Sequence, residues 1–305
     1  MKKCLVLGAN GFIGKSLCKK LAQEYLVVAY DLMISDELRD VENIISKEGN
    51  FLTDNNLSNL LEDVDVVYHL VSTTLPQKGT QHIINELEQN LIPTIRLLEA
   101  IKNNTKKAKI IFASSGGTVY GDTKGEKVKT TNSLCPQCSY GMQKQVIEEY
   151  IGFYGRYAGV DYVIARLSNP YGIGQDKKRV QGIVPIFIRS LLEDNPITLF
   201  GNSTRDLIYL DDLTDALVLL AEYKGDKKIF NIGSGHGYTT ETVVRLIETI
   251  ANKKFKEIVK EEIREFDVEH IVLDIEETKS ELEWCPKISL EKGIELLVNT
   301  MMVTN

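Results

Sequence analysis

The sequence predicts an α/β protein, a doubly wound parallel sheet with a smaller, mostly C-terminal lobe beside it. Three observations predict this. Apolar, β-branched runs alternate with helix-period stretches through the first part of the chain. Several runs are apolar almost throughout, as strands covered on both faces require. The first run leads directly into a glycine-rich turn and then a helix pattern.

The predicted strands are Lys3–Leu7, Leu26–Tyr30, Val64–Leu70, Lys109–Ser114 and Asp161–Leu167, with helices over 12–24, 80–104 and 140–158. After residue 167 the rhythm changes. Glycines and prolines gather at 169–185 and 195–203, and shorter helix patterns follow at 183–194, 211–223, 240–251 and 290–299. Residues 1–167 therefore read as a dinucleotide-binding domain to which later segments return. Residues 168–305 read as mainly a substrate lobe. The charged run Lys253–Glu265 reads as solvated surface, and Trp284 as packing within the C-terminal lobe.

Composition narrows the function. The chain has 305 residues, 43% of them hydrophobic and 26% charged, within the range of ordinary globular proteins. Its net charge of -7 argues against a global grip on nucleic acid. No apolar run is long enough to span a membrane, and glycine interrupts the first apolar run too early for a secretory signal. The five cysteines are odd in number and scattered, which suits a reducing, cytoplasmic compartment. Cys135 and Cys138 have CxxC spacing, but no second pair exists to complete a zinc site, so no metal is expected.

The glycine turn is Gly8-Ala9-Asn10-Gly11-Phe12-Ile13-Gly14. The first glycine permits the turn, the second lets backbone approach a pyrophosphate, and the third lets helix pack on strand. The helix start presents free N–H groups to the phosphates. Asp31 ends the second strand, about 20 residues on, placed to accept hydrogen bonds from ribose hydroxyls. A carboxylate there repels a 2′-phosphate, and the nearest following cation is Arg39, so NAD is favoured over NADP.

Tyr140 and Lys144 stand four apart at the start of a helix pattern, hence one turn apart on one face. A lysine ammonium below the phenol favours phenolate and makes the tyrosine a base. The strand Lys109–Ser114 runs into the polar turn Ser115-Gly116-Gly117-Thr118-Val119-Tyr120-Gly121, at the sheet edge where such folds bind ligands.

With these motifs in place, the chain resembles the extended short-chain dehydrogenase/reductase family, in particular its nucleotide-sugar epimerase/dehydratase branch. The resemblance extends to His69-Leu70-Val71-Ser72, to Asn90, to Ala165–Gly172, to Ile197–Gly201, to Arg205-Asp206, and to a tail containing Arg264, Asp267 and Trp284. It implies that Asn50, Phe51, Leu70, Ser72 and Asn90 join Gly8, Asn10, Gly11, Phe12, Ile13, Gly14, Asp31, Tyr140 and Lys144 around the cofactor. It implies substrate contacts from Asn169, Thr198, Phe200, Arg205, Arg264 and Asp267. It further implies NAD-dependent 4-epimerisation of a UDP-hexose, with a 4-ketoreductase as the alternative. A dehydratase or decarboxylase is disfavoured, because Gly117-Thr118 stands where those enzymes carry a carboxylate. A homodimer through helices 80–104 and 140–158 is also implied, with Tyr150, Tyr154 and Tyr157 on a packing or subunit face. His69 reads as a core histidine.

The branch usually places Ser or Thr four residues before the tyrosine of its VYG segment, where this chain has Gly116. Ser115 and Thr118 are the candidate replacements. Side-chain alternation along an extended stretch favours Thr118.

Overall fold

The computed structural model describes residues 1–54, 56–74, 83–175, 182–264 and 266–303. Seven parallel strands form the central sheet: β1 (Lys3–Leu7), β2 (Leu26–Asp31), β3 (Ile44–Glu48), β4 (Val66–His69), β5 (Lys109–Ser115), β7 (Tyr162–Leu167) and β11 (Ile229–Ile232). Their order is β11-β7-β5-β4-β1-β2-β3. The order reverses between β1 and β4, and the carboxyl ends of these two strands frame a crevice for a ligand.

Alternation along each strand divides the core. Cys4 and Val6 of β1, Val27 and Ala29 of β2, and Ile111 and Ala113 of β5 face one side. Leu5 and Leu7, Val28 and Tyr30, and Ile110 and Phe112 face the other. With both faces covered, the middle positions of these strands are apolar, and polar residues stand at their ends, which explains their almost continuous apolar reading. Helices α1 (Phe12–Leu21) and α8 (Leu210–Glu222) cover the first face. Helices α5 (Ile92–Asn103) and α6 (Ser139–Ala158) cover the second. Helix α6 stops at Gly159, whose φ of 65° is the left-handed cap that favours glycine.

The lobe has its own core, where α7 (Ile183–Leu192), α9 (Thr240–Ile250) and α11 (Leu290–Val303) pack together. Short strands join it to the sheet domain. Strand β10 (Thr204–Tyr209) pairs with β8 (Asn169–Tyr171), β12 (Gly237–Thr239) and β14 (His270–Leu273), and β14 pairs with β6 (Lys127–Val128). Strand β9 (Ile197–Phe200) pairs with β13 (Ile258–Glu261).

Three sequence expectations change. Most described residues of the run Lys253–Glu265 are exposed, but Phe255 is buried in the core of the lobe and the run contains β13, because backbone pairing with β9 does not need a buried face. Trp284 packs with the α1/α8 side of the central sheet, and its indole N–H donates to the Asp212 carbonyl at 3.2 Å. The helix expected over 80–104 is described from Ile83: a short turn α4 (Ile83–Glu86), a π-helical turn Leu87–Leu91, then α5. Residues 80–82 lie outside the described residues.

Candidate active site

The crevice holds a cavity of about 260 Å³. Gly8, Asn10 and Gly11 line it from the turn after β1, Asp31 from the end of β2, Asn50 and Phe51 from the turn after β3, and Leu70 and Ser72 from the turn after β4. Sequence reasoning missed Tyr30, Leu32, Gly49, Leu52, Val71 and Thr73. Most of these flank a predicted residue, and adjacency was the available signal. Phe12, Ile13 and Gly14 do not line the cavity. Gly14 supports it from below: a Cβ there would lie 2.1 Å from the Gly8 carbonyl oxygen, so a side chain would push the turn apart.

Asp31 binds the turn it faces, accepting from the Asn10 N–H at 2.9 Å and the Leu32 N–H at 2.7 Å. The cation nearest to it in sequence, Arg39, is engaged elsewhere, with Nη2 2.5 Å from Glu48. Among the described residues lining this part of the crevice there is a carboxylate and no cation, an acceptor that fits ribose hydroxyls and not a 2′-phosphate. The glycine cradle and this carboxylate together fit NAD.

Asn90 is not free to reach into the cavity. Its amide nitrogen donates to the Glu86 carbonyl at 2.9 Å, to Thr73 Oγ1 at 3.0 Å and to Gln143 Oε1 at 3.1 Å. Its oxygen accepts from the Thr73 N–H at 2.9 Å. It therefore fixes the cavity-lining loop after β4 to the helices behind it. His69 is a core residue, as expected. It lies between Phe51 and Phe112, bonds to Thr94 Oγ1 at 2.8 Å, and is kept neutral by burial, its pKa pushed down to about 3.

The dyad is assembled as the spacing predicts. Lys144 is buried and donates to the Ala113 carbonyl at 2.7 Å, with its ammonium 4.6 Å from the Phe112 ring centroid and 5.7 Å from that of Tyr140. Burial lowers its pKa to about 8, against an opposing pull from Glu148. Burial also dominates at Tyr140, raising its phenol to about 12, although a hydrogen bond with Ser115 acts in the other direction. Desolvation therefore outweighs the Ser115 contact in the protein alone.

The hydroxyl that acts on the Tyr140 phenol is that of Ser115, whereas alternation along the chain favours Thr118. Strand β5 continues through Ser115 and then turns at once: the N–H groups of Thr118 and Val119 both donate to the Ser115 carbonyl, at 3.1 and 3.0 Å. Alternation does not carry through such a turn. Thr118 Oγ1 itself points back to that carbonyl at 3.5 Å. Gly116 faces away from the tyrosine, and a Cβ on it would meet Leu273 Cδ1 at 2.7 Å and the Arg166 carbonyl at 3.1 Å.

On the lobe side, Asn169 donates to the Asp206 carbonyl at 3.0 Å and lies against Gly117. Arg264 forms two hydrogen bonds with Asp267, at 2.7 and 3.1 Å, and its guanidinium lies 4.6 Å from the Phe200 ring centroid and 5.1 Å from that of Phe266. Arg205 is close enough to feel both Arg264 and Asp267, and burial lowers its pKa. Thr198 sits two residues before Phe200 on β9, hence on the same side of that strand. Phe266 was missed from the sequence, where an aromatic in a charged tail carries no signal. Asp206 is wholly buried and accepts from Ser234 N and Oγ, Gly235 N and Leu273 N, tying β10 to β14. Among the described residues, no group of three or more His, Cys, Asp or Glu side chains could hold a metal, and no helix is long and apolar enough to cross a membrane.

Comparison with known proteins agrees with this geometry. The chain is 34% identical over 321 residues to a putative UDP-glucose 4-epimerase of Methanocaldococcus jannaschii, covering 99% of both chains. It is 32% identical over 308 residues to a dTDP-4-dehydro-6-deoxyglucose reductase of Escherichia coli, covering 97% of this chain and 96% of that one. The solved structure of a UDP-glucose 4-epimerase from Thermotoga maritima with UDP-glucose superposes with a TM-score of 0.90 at 31% identity, covering 99% of each chain. The family described as NAD dependent epimerase/dehydratase matches residues 4–233, a span that takes in the glycine cradle, the dyad and Arg205. Sequence, fold and site thus agree that this chain belongs to the NAD-dependent epimerase/dehydratase family.

Proposed function

We propose that this chain is a UDP-hexose 4-epimerase working with tightly held NAD. The observation that carries the reading is Tyr140 one helical turn from the buried Lys144, with the Ser115 hydroxyl acting on its phenol, at the carboxyl edge of β5, beside a turn 115–121 that contains no carboxylate. Such a site can move a proton on a sugar hydroxyl but has no side chain in that turn for elimination at C5 and C6. In this reading Gly8, Asn10, Gly11, Asp31, Asn50, Phe51, Leu70 and Ser72 hold the cofactor. When bound, NAD supplies the acceptor and later the donor of the hydride at C4.

Tyr140 accepts the proton of the sugar 4-hydroxyl and returns it after the 4-keto sugar has turned over. Ser115 shares that proton and orients the reacting oxygen. Lys144 supplies the cation that favours the phenolate. Arg205 and Asn169 hold the diphosphate, Arg264 and Asp267 shape the pocket near it, and Thr198 and Phe200 carry the base. The second reading, a 4-ketoreductase that releases its cofactor each turn, is favoured by the E. coli relative.

The reading includes a homodimer. Met142, Tyr150, Phe153 and Tyr157 of α6 and Ile92 of α5 are exposed, and Phe153 stacks on Tyr157 with ring centroids 5.3 Å apart. Tyr154, by contrast, is buried and bonds to Glu99 on α5 at 2.5 Å.

Incubation with UDP-glucose, UDP-galactose and their N-acetylated forms, without added NAD(P)H, tests the proposal. Interconversion is expected. A requirement for stoichiometric NADPH would select the reductase instead.

A further inference from the structure

Two buried carboxylates brace helix α6, and among the described residues only one has a cation. Glu148 is held by Arg166, with Nη2 to Oε2 at 2.7 Å and Nε within 3.2 Å of both oxygens. Glu86, on α4, is equally buried yet makes no salt bridge among the described residues. Its Oε2 accepts from the Ser139 hydroxyl and from Gln143 Nε2 at 2.5 Å. Those two residues stand immediately before Tyr140 and Lys144. One carboxylate oxygen therefore clasps positions i and i+4 of the first turns of α6, the same interval that sets the dyad.

We infer that Glu86 is a positioning residue for the Tyr140–Lys144 dyad, fixing the rotation of the start of α6 so that the phenol meets Ser115. Both bonds at this carboxylate oxygen are accepted by it, and Ser139 and Gln143 both donate. That sets the Gln143 amide with its nitrogen toward Glu86 and its oxygen toward Asn90 Nδ2, 3.1 Å away. Asn90 is then set with its oxygen toward the Thr73 N–H, 2.9 Å away. The orientation chosen at Glu86 passes through two amides to the loop after β4 that lines the cofactor cavity. Burying a carboxylate without a cation is unfavourable, and a neutral acceptor would satisfy a purely structural need more cheaply. The role assigned here explains the choice, because a glutamine in its place could also donate and would leave the amides free to flip.

This inference rests on the dyad chemistry proposed above. It is tested with Glu86→Ala, Glu86→Gln and Ser139→Ala against wild type, by bound NAD, Tm, kcat, KM and the pH dependence of kcat. Each protein is assayed for 4-epimerisation and, in parallel, for NADPH-dependent reduction of a 4-keto nucleotide sugar. A wild type active only in the second assay would sink the epimerase reading and leave this one standing, because the dyad handles the same oxygen in both directions. In E86A, kcat is expected to fall on the order of 10- to 100-fold, as misplacement of reacting groups does. KM stays within about twofold, NAD is retained, and the acid limb of the pH profile moves to higher pH as the phenol loses Ser115. E86Q recovers only part of the loss: its side-chain oxygen can still accept both bonds, but its amide no longer fixes which way Gln143 and Asn90 point. S139A, which removes one bond of the two, loses roughly threefold to tenfold in kcat and covers the case in which E86A does not fold. Unchanged kcat in E86A or S139A overturns the inference. So does an E86Q no better than E86A, or a joint fall of Tm, bound NAD and kcat with an unmoved pH profile.

Discussion

In the proposed reading the two sides of the crevice recognise charge by different means. On the sheet side the turn after β1 is glycine and backbone, and Asp31 at the end of β2 holds that backbone in place. On the lobe side the work falls to side chains: Arg205, Arg264 and Asp267, set against Phe200 and Phe266. Backbone recognition requires a particular chain path, so it leaves a spaced glycine signature. Side-chain recognition requires only that a few groups converge, and short strands from distant parts of the chain achieve that with little pattern in the sequence. The sheet side should therefore fail by losing cofactor and the lobe side by losing substrate, with the dyad between them failing in turnover alone.

The largest effect should lie at the dyad. Tyr140→Phe is expected to keep fold and NAD while losing about 10²–10⁴-fold in kcat, the usual loss for a general base. Ser115→Ala should follow it in direction, and Thr118→Val should lose less, because Ser115 acts on the phenol whereas Thr118 Oγ1 points to the Ser115 carbonyl. Steady-state kinetics with bound NAD measured in each variant decides this, and a greater loss in Thr118→Val would restore the alternation argument.

The next contrast sets the two sides against each other. Arg205→Met should weaken nucleotide-sugar binding by about 1.5–3 kcal/mol, the value of hydrogen bonds to charged groups, with NAD occupancy unchanged. Asp31→Ala should do the opposite, loosening NAD and narrowing the gap to NADP while the KM for sugar nucleotide holds. Calorimetric titration with each ligand separates them. Equal losses of both ligands in either variant would mean that the sides do not act independently.

The smallest effect is on stability. Lys144 is buried, and its pKa lies at about 8 instead of the ordinary 10.5. The folded state thus disfavours the charged form. The penalty is complete below pH 8 and is relieved as the pH rises from 8 toward 10.5, where the unfolded chain also loses its proton. Lys144→Met should therefore melt no lower than wild type at pH 7, with any advantage shrinking above pH 8, although it abolishes turnover. A clearly lower Tm at pH 7 would show that the Ala113 and Phe112 contacts outweigh the burial of charge.

This division also explains what could be read from the sequence. Strand β1 matches its predicted bounds, and the helix predicted over 140–158 differs by one residue at its start, because each is long or strongly patterned. Strand β3 at the sheet edge was not predicted: its pattern is mixed, with Ser46, Lys47 and Glu48 exposed or half-exposed. Tyr140 and Lys144 were legible because helix geometry alone brings them together. Ser115 was not preferred, since the two glycines after it conceal where the strand ends. Glu86 gave no signal, because its partners Ser139 and Gln143 lie more than 50 residues away in the sequence.

Strand β11 and helix α8 have a consequence for how the protein is made. Both belong to the sheet domain, yet both follow the first part of the lobe in the chain. A ribosome that has released β7 has made a sheet whose outer strand has no neighbour beyond it and whose α1 face lacks its second helix. At ordinary elongation rates that condition lasts for roughly several seconds before residue 232 emerges. Throughout that interval Ile164 and Ala165, later paired with Ile229 and Phe230, lie on an open parallel edge. The nascent chain therefore passes through a stage at which self-association competes with completion, and a holding chaperone that recognises apolar strand edges would act on it then.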